Sequence, residues 1–292
     1  MESPDEVRRS LGVAVLADLR HHEETLPEGE ARVSGLLAET GNFSWPLVVD
    51  RDSGVILDGS HRARVLVREH RARVVPVQWV ALDDPGVHVG AWCRVLEGVS
   101  PAAFRAACRE AGLEPNAPGA LACHYGDRVY GGPGLEPVDA YDLARRLERA
   151  LSGNGHGPRR SFCDDRSATR YVGARDTVVL RLPALGKAAV RERGANGLFP
   201  PKSTRFLLPF RLFGLAIPVA LLAGRCEALV ERLDAQRARP LACLGGGLFV
   251  DRPYPERLWQ FTDYRIPPAL FGDGETVSAY EAALARALSA IP

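Results

Sequence analysis

The sequence predicts a mixed α/β (α+β) fold, because short apolar runs with strand character alternate along it with segments of helical periodicity. Runs rich in β-branched residues, such as 55–57 and 74–82, have the length and composition of buried strands. Segments such as 30–40 and 137–151 place apolar residues on one face of a helix. At 292 residues, 46% of them hydrophobic and 25% charged, the chain is long enough for about two domains.

The first 98 residues are predicted to form one compact α/β module. Its predicted elements are strands at 13–19, 45–50, 55–57 and 74–82 and helices at 30–40 and 63–69. The strands at 45–50 and 55–57 flank a polar, glycine-containing turn at 50–54, so they are expected to pair with each other. The strand at 13–19 leads into the polar segment His21-His22-Glu23-Glu24.

A second α/β module is predicted at 99–210. Its predicted elements are helices at 101–111, 137–151 and 184–193, strands at 120–125 and 177–182, and a tight hairpin at Gly126-Asp127. The glycine-rich segment 152–158 has the composition of a flexible connection.

Residues 211–292 are predicted to form a C-terminal extension that packs on the rest of the chain. A predicted helix at 225–236 has Leu229 and Leu233 on one side, near Leu222, and aromatic residues recur beyond it. Because it is so apolar, this segment is expected to pack against the rest of the chain, where it would serve either as a lid or as a dimer interface. The apolar run 207–223 is interrupted by charged and helix-breaking residues and is expected to be buried core rather than a membrane span.

Composition argues against several classes of protein. The formal net charge of +1 is too small for the basic face of a typical nucleic-acid-binding protein. The six cysteines lie at least fifteen residues apart, which argues against a zinc site and favours reduced thiols. The acidic N-terminus lacks a basic head followed by an apolar stretch, so we expect a cytoplasmic protein without a signal peptide.

The most informative stretch is residues 55–62, Val-Ile-Leu-Asp-Gly-Ser-His-Arg. It is typical of a buried strand, a glycine-hinged turn at Asp58-Gly59 and the start of a helix. Such a helix start presents unpaired N–H groups that bind anions, and Ser60, His61 and Arg62 add donors, with Ser60 expected as the N-cap. The same octapeptide also fits a purely structural strand–turn–helix with a solvated arginine.

Two further segments, taken with this turn, indicate a family. His22-Glu23 follows the first predicted strand, and Pro200-Pro201-Lys202-Ser203-Thr204-Arg205 lies far downstream. With Trp92 and the turn at 58–62, these segments resemble, in order and spacing over about residues 10–210, the hallmarks of the free serine kinases, which have a ParB/sulfiredoxin-like fold. Two positions depart from the family pattern: Ser60 replaces the first histidine of the turn, and Phe206 replaces the histidine after the late arginine.

The resemblance implies an enzyme that transfers a phosphoryl group from ATP or ADP, with Mg²⁺, to free L-serine or a similar hydroxy-amino acid. The product, O-phosphoserine, would serve amino-acid or specialised-metabolite biosynthesis, and the enzyme would be a monomer or homodimer. The residue roles that it implies are catalysis by Glu23 and Asp58, with Asp58 also a candidate Mg²⁺ ligand; nucleotide phosphate binding by Gly59, Ser60, His61 and Arg62; and substrate binding by Trp92, Lys202, Ser203, Thr204 and Arg205. Without the resemblance, Glu23 fits a solvated acidic run and Trp92 a core position.

Two other classes of protein have the ParB/sulfiredoxin-like fold that the resemblance implies. A ParB-like nucleotide-dependent DNA-binding or regulatory protein is disfavoured by the near-neutral charge and by the lack of a recognisable helix-turn-helix. A sulfiredoxin-like reductase needs a cysteine before the histidine of the turn, where this chain has Ser60.

Overall fold

The computed structural model describes residues 2–132, 134–152, 157–249, 253–267, 270–271 and 274–289. The chain forms two compact units. The first consists of Met1–His21, Thr25–His88 and Phe206–Pro292, and the second of His22–Glu24 and Val89–Arg205. Residues 153–156, most of the segment predicted to be flexible, lie outside the described residues.

The N-terminal part of the first unit is built around a five-stranded mixed sheet. The elements of this part are α1 (Pro4–Ser10), β1 (Leu11–Val15), β2 (Arg20–His21), α2 (Pro27–Thr40), β3 (Asn42–Phe43), β4 (Leu47–Asp50), β5 (Val55–Asp58), α3 (Ser60–His70) and β6 (Val74–Val80). The strand order is β1-β6-β4-β5-β2. As predicted, β4 and β5 pair antiparallel around the turn at 50–54. The predicted strand at 13–19 is shorter than expected, since residues 16–18 form a 3₁₀ turn.

The second unit contains a six-stranded sheet with the order β12-β8-β13-β10-β11-β9. The elements from residue 88 to 207 are β7 (His88–Ala91), β8 (Cys93–Glu97), α4 (Pro101–Ala111), β9 (Glu114–Pro115), β10 (Ala122–Tyr125), β11 (Arg128–Gly131), α5 (Pro137–Leu151), β12 (Arg159–Cys163), α6 (Asp165–Ala168), β13 (Thr177–Arg181), α7 (Lys187–Asn196) and β14 (Thr204–Leu207). Helices α4 and α5 have the predicted bounds, and β10 and β11 form the predicted hairpin. Strands β7 and β14 form a separate pair.

The C-terminal segment completes the first unit. Its elements are β15 (Phe210–Phe213), β16 (Ile217–Pro218), α8 (Cys226–Arg237), β17 (Leu241–Gly245), β18 (Leu248–Phe249), β19 (Pro253–Tyr254), β20 (Arg257–Phe261) and α9 (Gly274–Ser289). β15, β20 and β17 form a three-stranded sheet, and β16 pairs with β3. Leu212, Ile217 and Leu229 lie in the same buried core as Val7 and Leu47.

The compact units therefore divide the chain differently from the predicted domains 1–98, 99–210 and 211–292. Because residues after 206 bury their apolar side chains against those of the first eighty, the two ends of the chain form one unit. The mixed α/β fold class is confirmed. Within the described part of the chain, no helix combines the length and apolar character needed to cross a membrane.

Candidate functional site

The residues predicted to form the site fall into two groups, one in each compact unit. Asp58, Gly59, Ser60, His61 and Arg62 belong to the first unit. The second unit contains the remaining candidates, Glu23, Trp92, Lys202, Ser203, Thr204 and Arg205.

The turn of the first unit has the predicted strand–turn–helix geometry. Strand β5 ends at Asp58, and Gly59 precedes helix α3 with a φ of 106°, in the left-handed region that favours glycine. A Cβ on Gly59 would lie 2.6 Å from a methyl group of Leu47, so the backbone also passes too close to its neighbours for a side chain. Gly59 is the N-cap of α3; Ser60 is instead the buried first residue of the helix, and its expected role as N-cap is wrong.

His61 lies on the first turn of α3 and contacts the start of α2. Its Nε2 accepts a 2.9 Å hydrogen bond from the main-chain N–H of Leu26, the N-cap residue of α2. The ring lies so close to Gly29 that a Cβ there would be 2.5 Å from it. His61 therefore ties the two helices together, a structural contact that the sequence did not predict.

Arg62 forms an ion pair with Asp58 and binds the loop before β4. Arg62 Nη1 donates to the carbonyl oxygens of Trp45 at 2.8 Å and Pro46 at 3.2 Å. Its Nη2 lies 3.7 Å from Asp58 Oδ1. The guanidinium is thereby oriented by three acceptors at the start of α3, where the helix dipole favours an anion.

A second arginine, which sequence reasoning treated only as an interruption of an apolar run, also binds Asp58. Arg211 on β15 donates from Nη1 to Asp58 Oδ2 at 2.6 Å and from Nε to Glu256 Oε1 at 2.9 Å. Its Nη2 donates to the carbonyl of Phe206 at 2.8 Å. The side chains of Arg211 and Glu256 are 3% and 4% exposed, so this is a buried charge cluster.

In the second unit, the segment His22–Glu24 runs beside Phe199. Phe199 donates its N–H to the carbonyl of His22 at 2.8 Å, and Glu24 donates its N–H to the carbonyl of Phe199 at 2.9 Å. These main-chain bonds bring together two stretches that lie about 175 residues apart in the sequence. As a result, Glu23 faces the Pro-Pro-Lys-Ser-Thr-Arg segment.

The Glu23 carboxylate is held by three donors that converge on one oxygen. Oε2 accepts from the main-chain N–H groups of Ser203 at 3.1 Å and Thr204 at 3.2 Å, and from the Thr204 hydroxyl at 3.2 Å. Among the described residues, no donor is bonded to Oε1. Because the side chain is 14% exposed, it is fixed in place yet still reachable.

Thr204 also links Glu23 to His22, which is fully buried. His22 Nε2 lies 2.7 Å from Thr204 Oγ1 and 3.9 Å from Glu23 Oε2. Since the Thr204 hydroxyl donates to Glu23, its oxygen is available to accept a hydrogen bond from Nε2–H of His22. The sequence resemblance singled out His22 only as a neighbour of Glu23, whereas the structure adds a hydrogen-bonded chain.

Ser203 and Lys202 form the tight turn that presents these donors. The Ser203 hydroxyl is buried and donates to the carbonyl of Pro200 at 2.6 Å, so its side chain supports the turn rather than facing a ligand. Lys202 adopts a φ of 55°, which is unusual for a residue with a side chain. The turn directs two consecutive N–H groups at Glu23.

Trp92 packs against the two cations of the late segment. The Lys202 Nζ lies 5.6 Å and the Arg205 Cζ 5.1 Å from the centre of a Trp92 ring, within cation–π range. Arg205 Nη1 is also 3.7 Å from Asp164 Oδ2. Burial acts to raise the pKa of Asp164, but hydrogen bonds from Ser167 and the charge of Arg205 together lower it, so this carboxylate is ionised beside Arg205.

A buried arginine lies beneath this turn. Arg94 Nη2 donates to the carbonyl of Pro201 at 3.3 Å, and its Nε forms an ion pair with Glu148. Burial lowers the pKa of Arg94, while the charge of Glu148 acts in the opposite direction. No motif surrounds Arg94 within strand β8, so sequence patterns could not identify it.

The surroundings of Asp58 bear on its expected role as a Mg²⁺ ligand. Within the described ranges, no group of three or more histidine, cysteine, aspartate or glutamate side chains is placed to hold a metal ion. The Asp58 carboxylate is flanked by the guanidinium groups of Arg62 and Arg211, whose positive charges disfavour a cation at the same carboxylate. The role of Asp58 as a Mg²⁺ ligand stays a prediction, and Mg²⁺ sites commonly use only one or two protein carboxylates.

Comparison with known proteins identifies the fold. No protein-family model and no curated protein matches the sequence. Among solved structures, SbnI with a C-terminal truncation, from Staphylococcus aureus, matches with a TM-score of 0.66 at 16% identity, over 80% of this chain and 100% of that one. A conserved hypothetical protein from Pyrococcus furiosus matches with a TM-score of 0.59 at 20% identity, over 73% of this chain and 97% of that one.

A free serine kinase in complex with AMP matches with a TM-score of 0.60 at 18% identity, over 73% of this chain and 93% of that one. Identities this low are evidence about the fold and not about activity. The chain therefore has the fold shared by SbnI and the free serine kinases, as the sequence resemblance predicted.

Proposed function

We propose that the protein is a small-molecule kinase that transfers a phosphoryl group from ATP or ADP to the side-chain hydroxyl of free L-serine or a similar hydroxy-amino acid. The observation that carries the proposal is the geometry of Glu23. One oxygen of its carboxylate is fixed by three donors, and no described residue bonds to the other.

In this proposal Glu23 is the general base. The acceptor hydroxyl gives its proton to Glu23 while its oxygen forms a bond to the terminal phosphorus of the nucleotide, and the bond from that phosphorus to the bridging oxygen breaks. The products are O-phosphoserine and the nucleotide shortened by one phosphoryl group. A base with a fixed position reduces the loss of entropy on reaching the transition state.

The late segment of the second unit is assigned to the amino-acid acceptor. Lys202 and Arg205 are cations beside the Trp92 ring, and a free amino acid carries a carboxylate that such cations bind. Asp164, which is ionised and close to Arg205, adds a negative charge of the kind that attracts the α-amino group. Thr204 is assigned to hold Glu23, and Ser203 to shape the turn.

The turn of the first unit is assigned to the nucleotide phosphates. It combines the N-terminus of the eleven-residue helix α3 with the oriented guanidinium of Arg62. The similarity of fold to a free serine kinase in complex with AMP, and to another whose bound nucleotide is ADP, supports this assignment. Gly59 and Ser60 contribute main-chain N–H groups, and His61 holds the helix in place through α2.

A divalent cation such as Mg²⁺ is proposed to enter with the nucleotide, since it neutralises phosphate charge in this class of reaction. Mg²⁺ in such sites is commonly held by phosphate oxygens and water with few protein carboxylates. That arrangement is compatible with an Asp58 that is already paired with two arginines.

The proposal is tested by incubating the purified protein with Mg²⁺, either ATP or ADP, and a panel of hydroxylated amino acids, followed by mass spectrometry. We expect a phosphorylated product with L-serine or a close analogue, and no product with alanine, which lacks the hydroxyl. If the protein binds nucleotide but phosphorylates none of the acceptors, the proposed acceptor class is wrong. If it binds no nucleotide at all, kinase activity is excluded.

A further inference from the structure

We propose that Arg211, held by Glu256, is a positioning residue for the phosphate-binding turn at 58–62. The inference rests on the proposed function and adds to it a part of the nucleotide site that comes from the C-terminal segment. Its basis is the contact of Arg211 Nη1 with Asp58 Oδ2 at 2.6 Å, which joins β15 to the last residue of β5.

Each of the three guanidinium nitrogens of Arg211 donates to an acceptor. Nε binds Glu256, Nη1 binds Asp58 and Nη2 binds the carbonyl of Phe206, while the guanidinium lies 5.6 Å from the Tyr254 ring centre. A planar guanidinium with several acceptors has one favoured orientation, in contrast to a lysine ammonium. These contacts thus fix the orientation of Arg211, and Arg211 in turn fixes the position of the Asp58 carboxylate.

Burial makes this arrangement costly unless the charges are balanced. Arg211 and Glu256 are nearly inaccessible, and removing one partner of such a pair leaves a charge without compensation. Replacing both by apolar residues of similar size would often stabilise a protein as well or better. Because the buried Arg211–Glu256 pair ends on the Asp58 carboxylate, we attribute to it the orientation of the turn.

Asp58 connects Arg211 to Arg62, because its carboxylate contacts both guanidinium groups. Asp58 precedes Gly59, the left-handed hinge, and its Oδ1 lies 3.7 Å from Arg62 Nη2. Arg211 fixes the carboxylate from one side, and the carboxylate limits where the Arg62 guanidinium points. A change in Arg211 should therefore alter the position of a group that we assign to the nucleotide phosphates, without itself touching the nucleotide.

The experiment compares Glu256→Gln, Arg211→Lys and Arg211→Met with the parent protein, with nucleotide affinity measured by calorimetry using ADP and a non-hydrolysable ATP analogue. Arg232→Lys is the matched control, because Arg232 also belongs to the C-terminal segment and donates to a main-chain carbonyl, that of Ala216, rather than to Asp58. Thermal unfolding of each variant identifies a temperature at which it is fully folded, and nucleotide affinity is measured at that temperature.

We expect Arg211→Met to weaken nucleotide binding by up to about tenfold to a hundredfold, the usual effect of losing a charge-assisted contact, because Arg62 would no longer be held in position for the phosphates. Glu256→Gln should weaken it less, and Arg211→Lys should restore part of the affinity lost in Arg211→Met. KM for the nucleotide should rise more than kcat falls. Arg232→Lys should bind nucleotide as the parent does.

A purely structural role predicts something else: lower unfolding temperatures but parental nucleotide affinity in the folded variants. That result would overturn the inference while leaving the proposed function intact. If Arg211→Met fails to fold, Glu256→Gln and Arg211→Lys decide the matter by the same criterion. Absence of nucleotide binding in the parent would overturn the proposed function and the inference together.

Discussion

Glu23 shows how much one side chain depends on its hydrogen-bond partners. In the sequence it is one of two adjacent glutamates, but only Glu23 is bonded to the turn at 203–204. Glu24 instead forms an ion pair with Arg145 at 3.0 Å. The neighbouring carboxylate is therefore a natural control for the proposed base.

Glu23→Gln keeps the size and most hydrogen bonds of the side chain but removes its basicity. We expect turnover with the amino-acid acceptor to fall by roughly 10²- to 10⁴-fold with little change in nucleotide affinity. Glu24→Gln should retain most of the parental turnover. Steady-state kinetics of both variants checks the expectation; a Glu23→Gln enzyme with near-parental kcat would remove Glu23 from the mechanism.

The cysteines differ in burial, and we therefore expect them to differ in reactivity. Burial, assisted by the nearby charge of Asp165, raises the pKa of Cys93 to about 12. Because the reactive form is the thiolate, a raised pKa means that Cys93 stays protonated at neutral pH and ionises only as the pH approaches that value. Cys226, by contrast, is exposed.

We expect iodoacetamide at pH 8 to modify Cys226 rapidly in the folded protein and to leave Cys93 unmodified. Peptide mass spectrometry after timed quenching gives the rate at each site. Unfolding in denaturant should remove the difference, since it exposes both thiols. Equal labelling rates in the folded protein would contradict the buried position of Cys93.

At the scale of elements, the hinge before α3 depends on glycine at one position. Gly59→Ala should destabilise the protein by about 1–2 kcal/mol from backbone strain alone, and contact of the new Cβ with Leu47 adds to this. Gly35→Ala is the control: Gly35 lies exposed within α2, and a Cβ there has no atom within 4 Å. Removing a helical glycine should stabilise by roughly 0.5–1 kcal/mol.

Chemical denaturation measures the free energy of unfolding of both glycine variants, which should fall in Gly59→Ala and rise in Gly35→Ala. The informative comparison is between left-handed and helical glycines of the same unit. If Gly59→Ala proves as stable as the parent, the left-handed conformation at this turn is not required.

At the scale of the whole molecule, the C-terminal segment is part of the first unit's core. Truncation after Phe210 removes Leu212, Leu229 and other residues that pack with the N-terminal strands. We expect the truncated chain to aggregate or to lose its cooperative unfolding transition, as judged by size-exclusion chromatography and circular dichroism. A soluble, folded monomer would instead indicate that the segment is a separable lid.

A pair of point variants on α8 tests the same idea without deleting chain. Leu229 is fully buried, whereas its neighbour Val230 is 39% exposed. Leu229→Ala should cost about 2–5 kcal/mol, and Val230→Ala should stay within roughly 0.5 kcal/mol of the parent. Similar losses in the two variants would show that α8 does not pack as described.

Local sequence signals were sufficient for several of the helices and strands. Helices α4 and α5 begin after Ser100 and Glu136 with proline at the first position, and their predicted bounds are confirmed. The strand–turn–helix at 55–62 was predicted because its apolar run, glycine and helical face are contiguous. The N-cap of α3 was misassigned because serine is the commoner N-cap, whereas the left-handed backbone here favours Gly59.

The sequence by itself determined the fold class and the strand–turn–helix at 55–62, since each depends on residues that are close together in the chain. The candidate site residues came from the family resemblance and stay predictions. Only the tertiary structure decided how the C-terminal segment joins the first unit, that Arg211 and Glu256 bind Asp58, and that Glu23 is held by Ser203 and Thr204. The physical reason is that these contacts join residues 45 to 181 positions apart. Periodicity and spacing record which face of an element is buried, but not which distant side chain meets it.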